Sequence, residues 1–325
     1  MLNFIQTTMH PERYHGRHIP DPFFEGWYYK LVDKTGQRRY AIIAGVARTG
    51  GEDAHAFVQT LDGETGVSVY QRYPLKDFWA APDAFYITVG PNHFSAAHLK
   101  IDMPDATLAL RGDLTFCDLT PWPVSVASPG MMGWYGWVPG MECYHHVVSL
   151  DHSVHGQLEI NGESVDFGQG RGYIEKDWGH SQPEAWIWLQ SNHFETPEAS
   201  LSASVAMIPP VAGLGKTFQG FLAGLLYRGT LYRFATYTGA VIEKLESTET
   251  TVTLTLRDSL YRLTLVAHAA TGAELRSPRQ AVMERRIHET LNATVDVTLT
   301  TLVGGIVVFN ETGRHAGLEI VGKLV

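Results

Sequence analysis

A chain of 325 residues is long enough for two domains, each burying a core of its own. With 44% hydrophobic and 18% charged residues it is not a disordered chain, and its formal charge of −9, with no basic run longer than a pair, argues against a phosphate-tracking nucleic-acid surface. Cys117 and Cys143 cannot build a disulfide framework, the first ten residues lack a secretory pattern, and no stretch approaches ~18 apolar residues. The expectation is therefore a cytoplasmic protein without an integral membrane segment.

In chain order, alternation with a period of two dominates and helical periodicity is scarce. Strand-like runs cover 27–32, 40–47, 54–61, 85–89 and 107–116, separated by Gly, Pro, Asn and Asp. Residues 120–140 are rich in Pro, Gly and Trp, lack any period and read as a long ordered loop, a kind of segment that often carries function. A strand over 144–150 follows, then a hairpin that ends near Phe167 and Gly168. Farther on, Val252, Leu254 and Leu256 share one strand face, and Tyr261, Leu263 and Leu265 share the next across a turn at 257–259. Residues 294–300 repeat the pattern, with β-branched side chains prominent. The fold class expected is all-β: two antiparallel β-barrel or β-sandwich domains with little helix, 1–168 and 169–325.

Three familiar motifs fail. Gly213-Leu-Gly-Lys-Thr217 lacks the Gly that a phosphate loop needs five residues before Gly215, where Pro210 stands. Gly168-Gln-Gly-Arg-Gly172 opens no helix, and there is no Gly-x-Ser-x-Gly elbow. The 15 histidines cluster at His10, His15 and His18 and at His145, His146, His152 and His155, but not at the spacing of a strong metal motif. Neither a metal nor a cofactor is expected.

The unusual feature is a concentration of aromatics beside carboxylates at 23–29, at 133–144 and at 172–194. On extended backbone Tyr173, Glu175 and Asp177 share one face, while Ile174, Lys176 and Trp178 share the other. By the same period Trp186, Trp188, Gln190 and Asn192 share a face, as do Glu25, Trp27 and Tyr29, and Glu142, Tyr144 and His146. Trp134 and Trp137 precede the last set. A face that mixes indoles with amides and carboxylates is unlike a plain core, because each buried polar group needs a partner. It suits the wall of an apolar small-molecule site, where a few polar groups orient the ligand. For any one of these aromatics, ordinary core packing is the competing reading.

The stretch 133–195 resembles the tocopherol cyclase family, which pairs a Pro-containing aromatic loop and a Glu with a later E-K-N-W-G and then P-x-x-W-x-W-x-Q-x-N-x-F. The matching residues are Glu142, then Glu175, Lys176, Trp178, Gly179, Pro183, Trp186, Trp188, Gln190, Asn192 and Phe194. Phe24-Glu-Gly-Trp27 is similar to that family too, and Gly317-Leu-Glu319 is so weakly. Asp177 stands where the family has Asn, and Tyr144 stands where it has His, with His145 and His146 just after. Both departures lie beside the presumed site and bear on substrate and reaction. The resemblance implies a lipocalin-like two-domain β architecture, shared with carotenoid hydratases and pericyclase-like relatives.

It also implies a reaction, in which an acid protonates a trisubstituted alkene of a prenylated hydroquinone and the phenol oxygen captures the tertiary cation to close a chromanol ring. Glu175 and Asp177, two apart on one strand face and about 7 Å from each other, would repel as anions and so keep one carboxyl neutral. Glu175 is the expected acid with Asp177 its competitor, and Tyr173, His146 or Gln190 is expected to hold the phenol. Glu25, Trp27, Trp134, Trp137, Glu142, Tyr144, Trp178, Trp186, Trp188, Gln190 and Asn192 are the expected binding residues. The indoles of Trp27, Trp178, Trp186 and Trp188 would each stabilise a transient cation by about 0.5–2 kcal/mol. Two other readings stand beside this one: a hydratase or isomerase of an isoprenoid alkene, with water held by Asn192 or His146, and a lipocalin-like carrier with no chemistry. In every case the expected partner is a lipophilic small molecule, with peripheral membrane contact as the route for collecting it.

Overall fold

The alternating segments become strands nearly everywhere they occur. The computed structural model describes residues 2–210 and 215–324, and among them a sheet of 12 strands and a sheet of 10, both antiparallel, account for most of the chain. Gly213 and Leu214, which begin the rejected phosphate-loop-like stretch, lie outside the described residues. Helix is limited to α1 (Leu2–Thr8) and a few single turns, and among the described residues no helix is long and apolar enough to cross a membrane.

The chain divides into two compact units, Met1–Gln182 with Ala273–Ile287, and Pro183–Gly272 with His288–Val325. The first contains β1 (Phe23–Val32), β2 (Arg39–Arg48), β3 (His55–Asp62), β4 (Ser68–Pro74), β5 (Phe78–Ala80), β6 (Tyr86–Val89), β7 (Asn92–Ser95), β8 (His98–Met103), β9 (Leu110–Cys117), β10 (Cys143–Ile160), β11 (Glu163–Asp166) and β12 (Gly170–Gly179). Their order in the sheet is β4-β3-β2-β1-β12-β10-β9-β8-β7-β6-β5, with β11 on β10. The sheet curls until its two arms face each other. Trp27 of β1 stacks on Phe85 with ring centroids 5.5 Å apart, and the Tyr29 hydroxyl donates to the Ser95 carbonyl at 2.8 Å. Asn92 of β7 donates to the Tyr73 hydroxyl of β4 at 3.1 Å. Trp27, Tyr29, Leu31, Ile42, Phe94 and Leu99 are wholly buried in this core, each adding about 1.5–3 kcal/mol.

The second unit contains β13 (Trp186–Ser191), β14 (Ser200–Ile208), β15 (Phe218–Tyr227), β16 (Thr230–Ala235), β17 (Val241–Ser247), β18 (Thr251–Arg257) and β19 (Tyr261–His268). After β20 (Ala273–Arg279), β21 (Val282–Thr301) and β22 (Val307–Val321) complete the chain, and the second sheet runs β16-β15-β14-β13-β22-β21-β19-β18-β17, with β20 on β21. Its core alternates along the strands, with Ile187 and Leu189 of β13 packed with Val205, Leu254, Leu265 and Val297. A void of about 10 Å³ lies beside Ile187, Leu189, Leu254 and Leu265, room for no more than one water. That space is far too small for an isoprenoid.

The division falls after Gln182 and not at 168. Gly168 sits in the turn between β11 and β12, and β12 pairs with both β1 and β10 in the first sheet. Residues 273–287 also belong to the first unit, where Gln59 exchanges hydrogen bonds with the Arg276 backbone and Ser68 donates to the Glu274 carbonyl. Such long-range pairings leave no mark on local periodicity.

Candidate functional site

β12 lies between β1 and β10, and the register decides which of their side chains meet. Glu25 opposes Trp178, Trp27 opposes Lys176, Tyr28 opposes Glu175 and Gly26 opposes Asp177. On the other side Tyr144 opposes Trp178, His145 opposes Asp177, His146 opposes Lys176 and Val147 opposes Glu175. Directly opposed residues point the same way. The expected residues therefore fall on two faces. Glu25, Trp27, Tyr144, His146 and Trp178 point with Lys176 toward the unit's core, whereas Tyr173, Glu175 and Asp177 point away from it with Tyr28 and His145.

The inner face is built around a buried ion pair. Lys176 Nζ lies 2.5 Å from Glu25 Oε1, both side chains being fully shielded from solvent. Nζ also donates to the carbonyls of Pro11 and Arg13 and meets His15 Nδ1 at 2.7 Å. Glu25 accepts from the backbone N–H of His15, 3.0 Å from each oxygen, and from that of Gly16 at 3.2 Å. The ammonium lies 4.5 Å from the Trp178 ring centre and 5.0 Å from that of Trp27. Trp178 stacks in addition on His15 and on Tyr144. Burial draws the Lys176 ammonium down to about 8 against the pull of Glu25. Burial would raise the Glu25 carboxyl, but Lys176 and His15 outweigh it and hold it below its ordinary value. His146, depressed well below the usual histidine range by burial and by Lys176, is a neutral ring accepting from the Met131 N–H at 3.4 Å. His146, expected to help hold a phenol beside Glu175, thus lies on the face opposite to it, and the indoles of Trp27 and Trp178 already face a cation of the protein itself. This cluster fastens the segment 11–16 to the sheet.

The outer face carries the acids. Tyr173 donates its hydroxyl proton to Glu175 Oε2 at 2.5 Å. His145 Nδ1 is 2.9 Å from Asp177 Oδ1, and its Nε2 is 3.8 Å from Glu175 Oε2. Burial works against a charge on His145, yet Asp177 and then Glu175 outweigh it and hold the ring up at about 9. At neutral pH an imidazolium therefore stands between the two carboxyl groups, where sequence reasoning expected only mutual repulsion. Tyr28, opposite Glu175, continues this face toward Ile43 and the buried Phe57, Ala47 and Met283. The result is a carboxyl array at the margin of an apolar wall. Gly179 ends β12 at a φ of +152°, where a Cβ would meet the Glu142 carbonyl at 2.2 Å, so only glycine lets the strand end this close to the start of β10.

One His with two carboxylates is also a set of metal donors, and these three residues offer atoms within 4.8 Å of one another. The fit is poor. A tetrahedral ion bound at about 2.0–2.1 Å holds its donors about 3.4 Å apart, whereas here the two carboxylates face opposite nitrogens of one ring.

In the second unit, Trp186, Trp188 and Gln190 lie on the face of β13 opposite to Ile187 and Leu189, hence away from that unit's core. Their neighbours in register are Ser202 and Ser204 of β14 and Gly317 and Glu319 of β22. Trp186 Nε1 donates to Glu319 Oε2 at 2.5 Å. Trp188 lies against Gly317, where a Cβ would come within 2.6 Å of the indole. Gln190, Ser202, Asn192 and Glu289 are buried with them, and Asn192 Oδ1 meets His193 Nδ1 at 2.9 Å.

The remaining expected residues are peripheral to these faces. Trp134 is 48% exposed and stacks on Tyr135, and Trp137 donates to the Val126 carbonyl beside Phe4. Glu142 contributes its carbonyl, which accepts from the N–H groups of His180 and Ser181. Sequence reasoning missed His145 and Tyr28. The signal for His145 is the register that sets it against Asp177, and for Tyr28 it is a second aromatic face on β1.

A profile of the family described as tocopherol cyclase-like matches residues 117–322, well over half of the chain. A probable chloroplastic tocopherol cyclase of Oryza sativa subsp. japonica is 31% identical over 110 residues, which cover 34% of this chain and 23% of that protein. The chloroplastic tocopherol cyclase of Zea mays matches to the same extent, so less than a quarter of either plant protein's length is matched. Among solved structures, CghA with Sch210972 has a TM-score of 0.56 at 10% identity over 93% of this chain and 89% of that one. A putative AttH from Nitrosomonas europaea has a TM-score of 0.50 at 13% identity over 95% and 98%. At such identities the likeness is one of fold.

Proposed function

Since the chain belongs to the tocopherol cyclase-like family, we propose that it binds a prenylated hydroquinone and closes the chromanol ring by acid-promoted addition of the phenol to the alkene. The observation that carries this reading is the Tyr173–Glu175–His145–Asp177 array on the outer face of the first unit, beside the apolar wall of Ile43, Ala47, Phe57 and Met283. Glu175, whose Oε2 accepts the Tyr173 hydroxyl, is the group that presents a proton. That proton adds to the less substituted alkene carbon, forming a C–H bond and a tertiary cation. The phenol oxygen then forms the C–O bond, and its proton returns to the Glu175 carboxylate. The sum is an isomerisation that consumes nothing. A positioned acid contributes about 10²–10⁴-fold to such a step. Tyr28, opposite Glu175, replaces Trp27 and Trp178 as the aromatic ring presented to the cation.

The test is turnover of a prenylated hydroquinone by the wild type and by Glu175→Gln in water enriched in ¹⁸O. Wild type is expected to yield an unlabelled chromanol, and the variant to bind the substrate without converting it. Label in the product would mark a hydratase. Binding with no product at any pH would mark a carrier.

A further inference from the structure

The proton that Glu175 delivers needs a source, and His145 is built to be one. We infer that His145 stores that proton and that Asp177 fixes the ring so that Nε2 faces Glu175. This inference rests on the reading of Glu175 as the acid. Asp177 engages Nδ1 at 2.9 Å, so the ring is anchored through the nitrogen remote from Glu175. Among the described residues Nε2 has no hydrogen-bond partner and is closed off from solvent, and it lies 3.8 Å from Glu175 Oε2. About 1 Å of side-chain movement makes that contact a hydrogen bond. Side-chain exposure falls from 27% at Asp177 through 14% at His145 to 7% at Glu175, so the pair that exchanges the proton is the part shielded from water.

The step balances within the site. The Nε2–H bond of the imidazolium breaks and a carboxyl O–H bond forms on Glu175, leaving a neutral ring whose Nδ1–H still donates to the Asp177 carboxylate. After Glu175 protonates the alkene, the proton released by the phenol returns through Glu175 to Nε2. An Asp that holds a His in one tautomer while the other nitrogen exchanges a proton is the division of labour of hydrolase triads, used here toward a carboxyl group. Among the described residues, the charged and titratable groups that meet this ring include Asp177 and Glu175 of β12, with Tyr173 reached through Glu175. Tyr28 and Lys30 lie on β1. Cys143, two residues along β10, is a thiol kept protonated by burial and by Asp177. His146 points to the opposite face. His145 acts through Glu175, and Asp177 is a positioning residue.

Two measurements decide the matter. In turnover of a prenylated hydroquinone, His145→Gln should lose at least 100-fold in kcat with KM changed less than threefold. The wild-type rate should fall along an alkaline limb centred near pH 9, a limb that His145→Gln lacks and Asp177→Asn moves down by a unit or more. Retained kcat in His145→Gln, or an unmoved limb in Asp177→Asn, overturns the inference and leaves the role of Glu175 intact. In NMR of ring-¹⁵N histidine, the His145 midpoint should stand near 9 and drop in both Asp177→Asn and Glu175→Gln. If the wild type forms no chromanol, the proposed function fails, and a His145 midpoint that ignores Glu175→Gln then overturns the coupling separately.

Discussion

Replacing Lys176 by Met tests the inner face most directly. The substitution keeps the apolar stem but leaves Glu25 buried with only the His15 and Gly16 N–H groups and the His15 ring to compensate it. Removing one partner of a buried pair costs about 3–5 kcal/mol, whereas exchanging both for uncharged groups is often close to neutral. Lys176→Met should therefore unfold at lower urea by about that amount at pH 7, and adding Glu25→Gln should recover at least ~2 kcal/mol. The pH dependence supplies an independent sign. Lys176 sits at about 8 in the fold against 10.5 when free, so between these values the unfolded chain holds the extra proton and stability rises with pH. At about 1.36 kcal/mol per unit the wild type should gain about 3 kcal/mol on Lys176→Met across that window. Urea titrations followed by tryptophan emission at pH 7, 8, 9.5 and 10.5 measure both effects. A Lys176→Met protein within 1 kcal/mol of wild type at pH 7, or a gap that stays flat to pH 10.5, would refute the reasoning.

Other outcomes follow from single contacts. His145 is held at about 9 against 6.5 when free, so its stabilisation is complete below pH 6.5 and is lost as pH rises through 9. The advantage of wild type over His145→Gln should accordingly shrink by about 3 kcal/mol between pH 6 and 9.5 in denaturant titrations. Gly317→Ala drives a methyl into the Trp188 ring and should cost about 1–3 kcal/mol, read as a lower Tm together with a shift in tryptophan emission. Trp186→Phe deletes the donor to Glu319 and should cost about 1.5–3 kcal/mol in a thermal melt, part of which Glu319→Gln restores.

The face shared by Tyr173, Glu175 and Asp177 was legible because a strand period places alternate residues together whatever the register. Which of the two faces met the core was not legible. Nine of the ten residues of β1 are buried, so hydrophobicity no longer marks one side, and Trp27 looked as fit for a ligand wall as Tyr28. Lys176 was hard to place for a related reason, since nothing in a lysine between two acids shows that the 11–16 segment closes over it. The choice between His145 and His146 turned on one residue of register, and β10 slips its register against β12 beyond Val147. Family resemblance singled out β12 and the β13 aromatics, but Tyr28 and His145 come into view only when β1 and β10 are laid beside β12.

The placement of β12 also bears on how the protein is made. Without this strand the first sheet separates into two pieces, β4-β3-β2-β1 and β10-β9-β8-β7-β6-β5, each with an unpaired edge open to stray association. On the ribosome β1 must wait about 140 residues for its neighbour to emerge. The seam that finally joins the two pieces is the same strand that carries Glu175 and Asp177, so these two carboxyl groups are made only when the sheet can close.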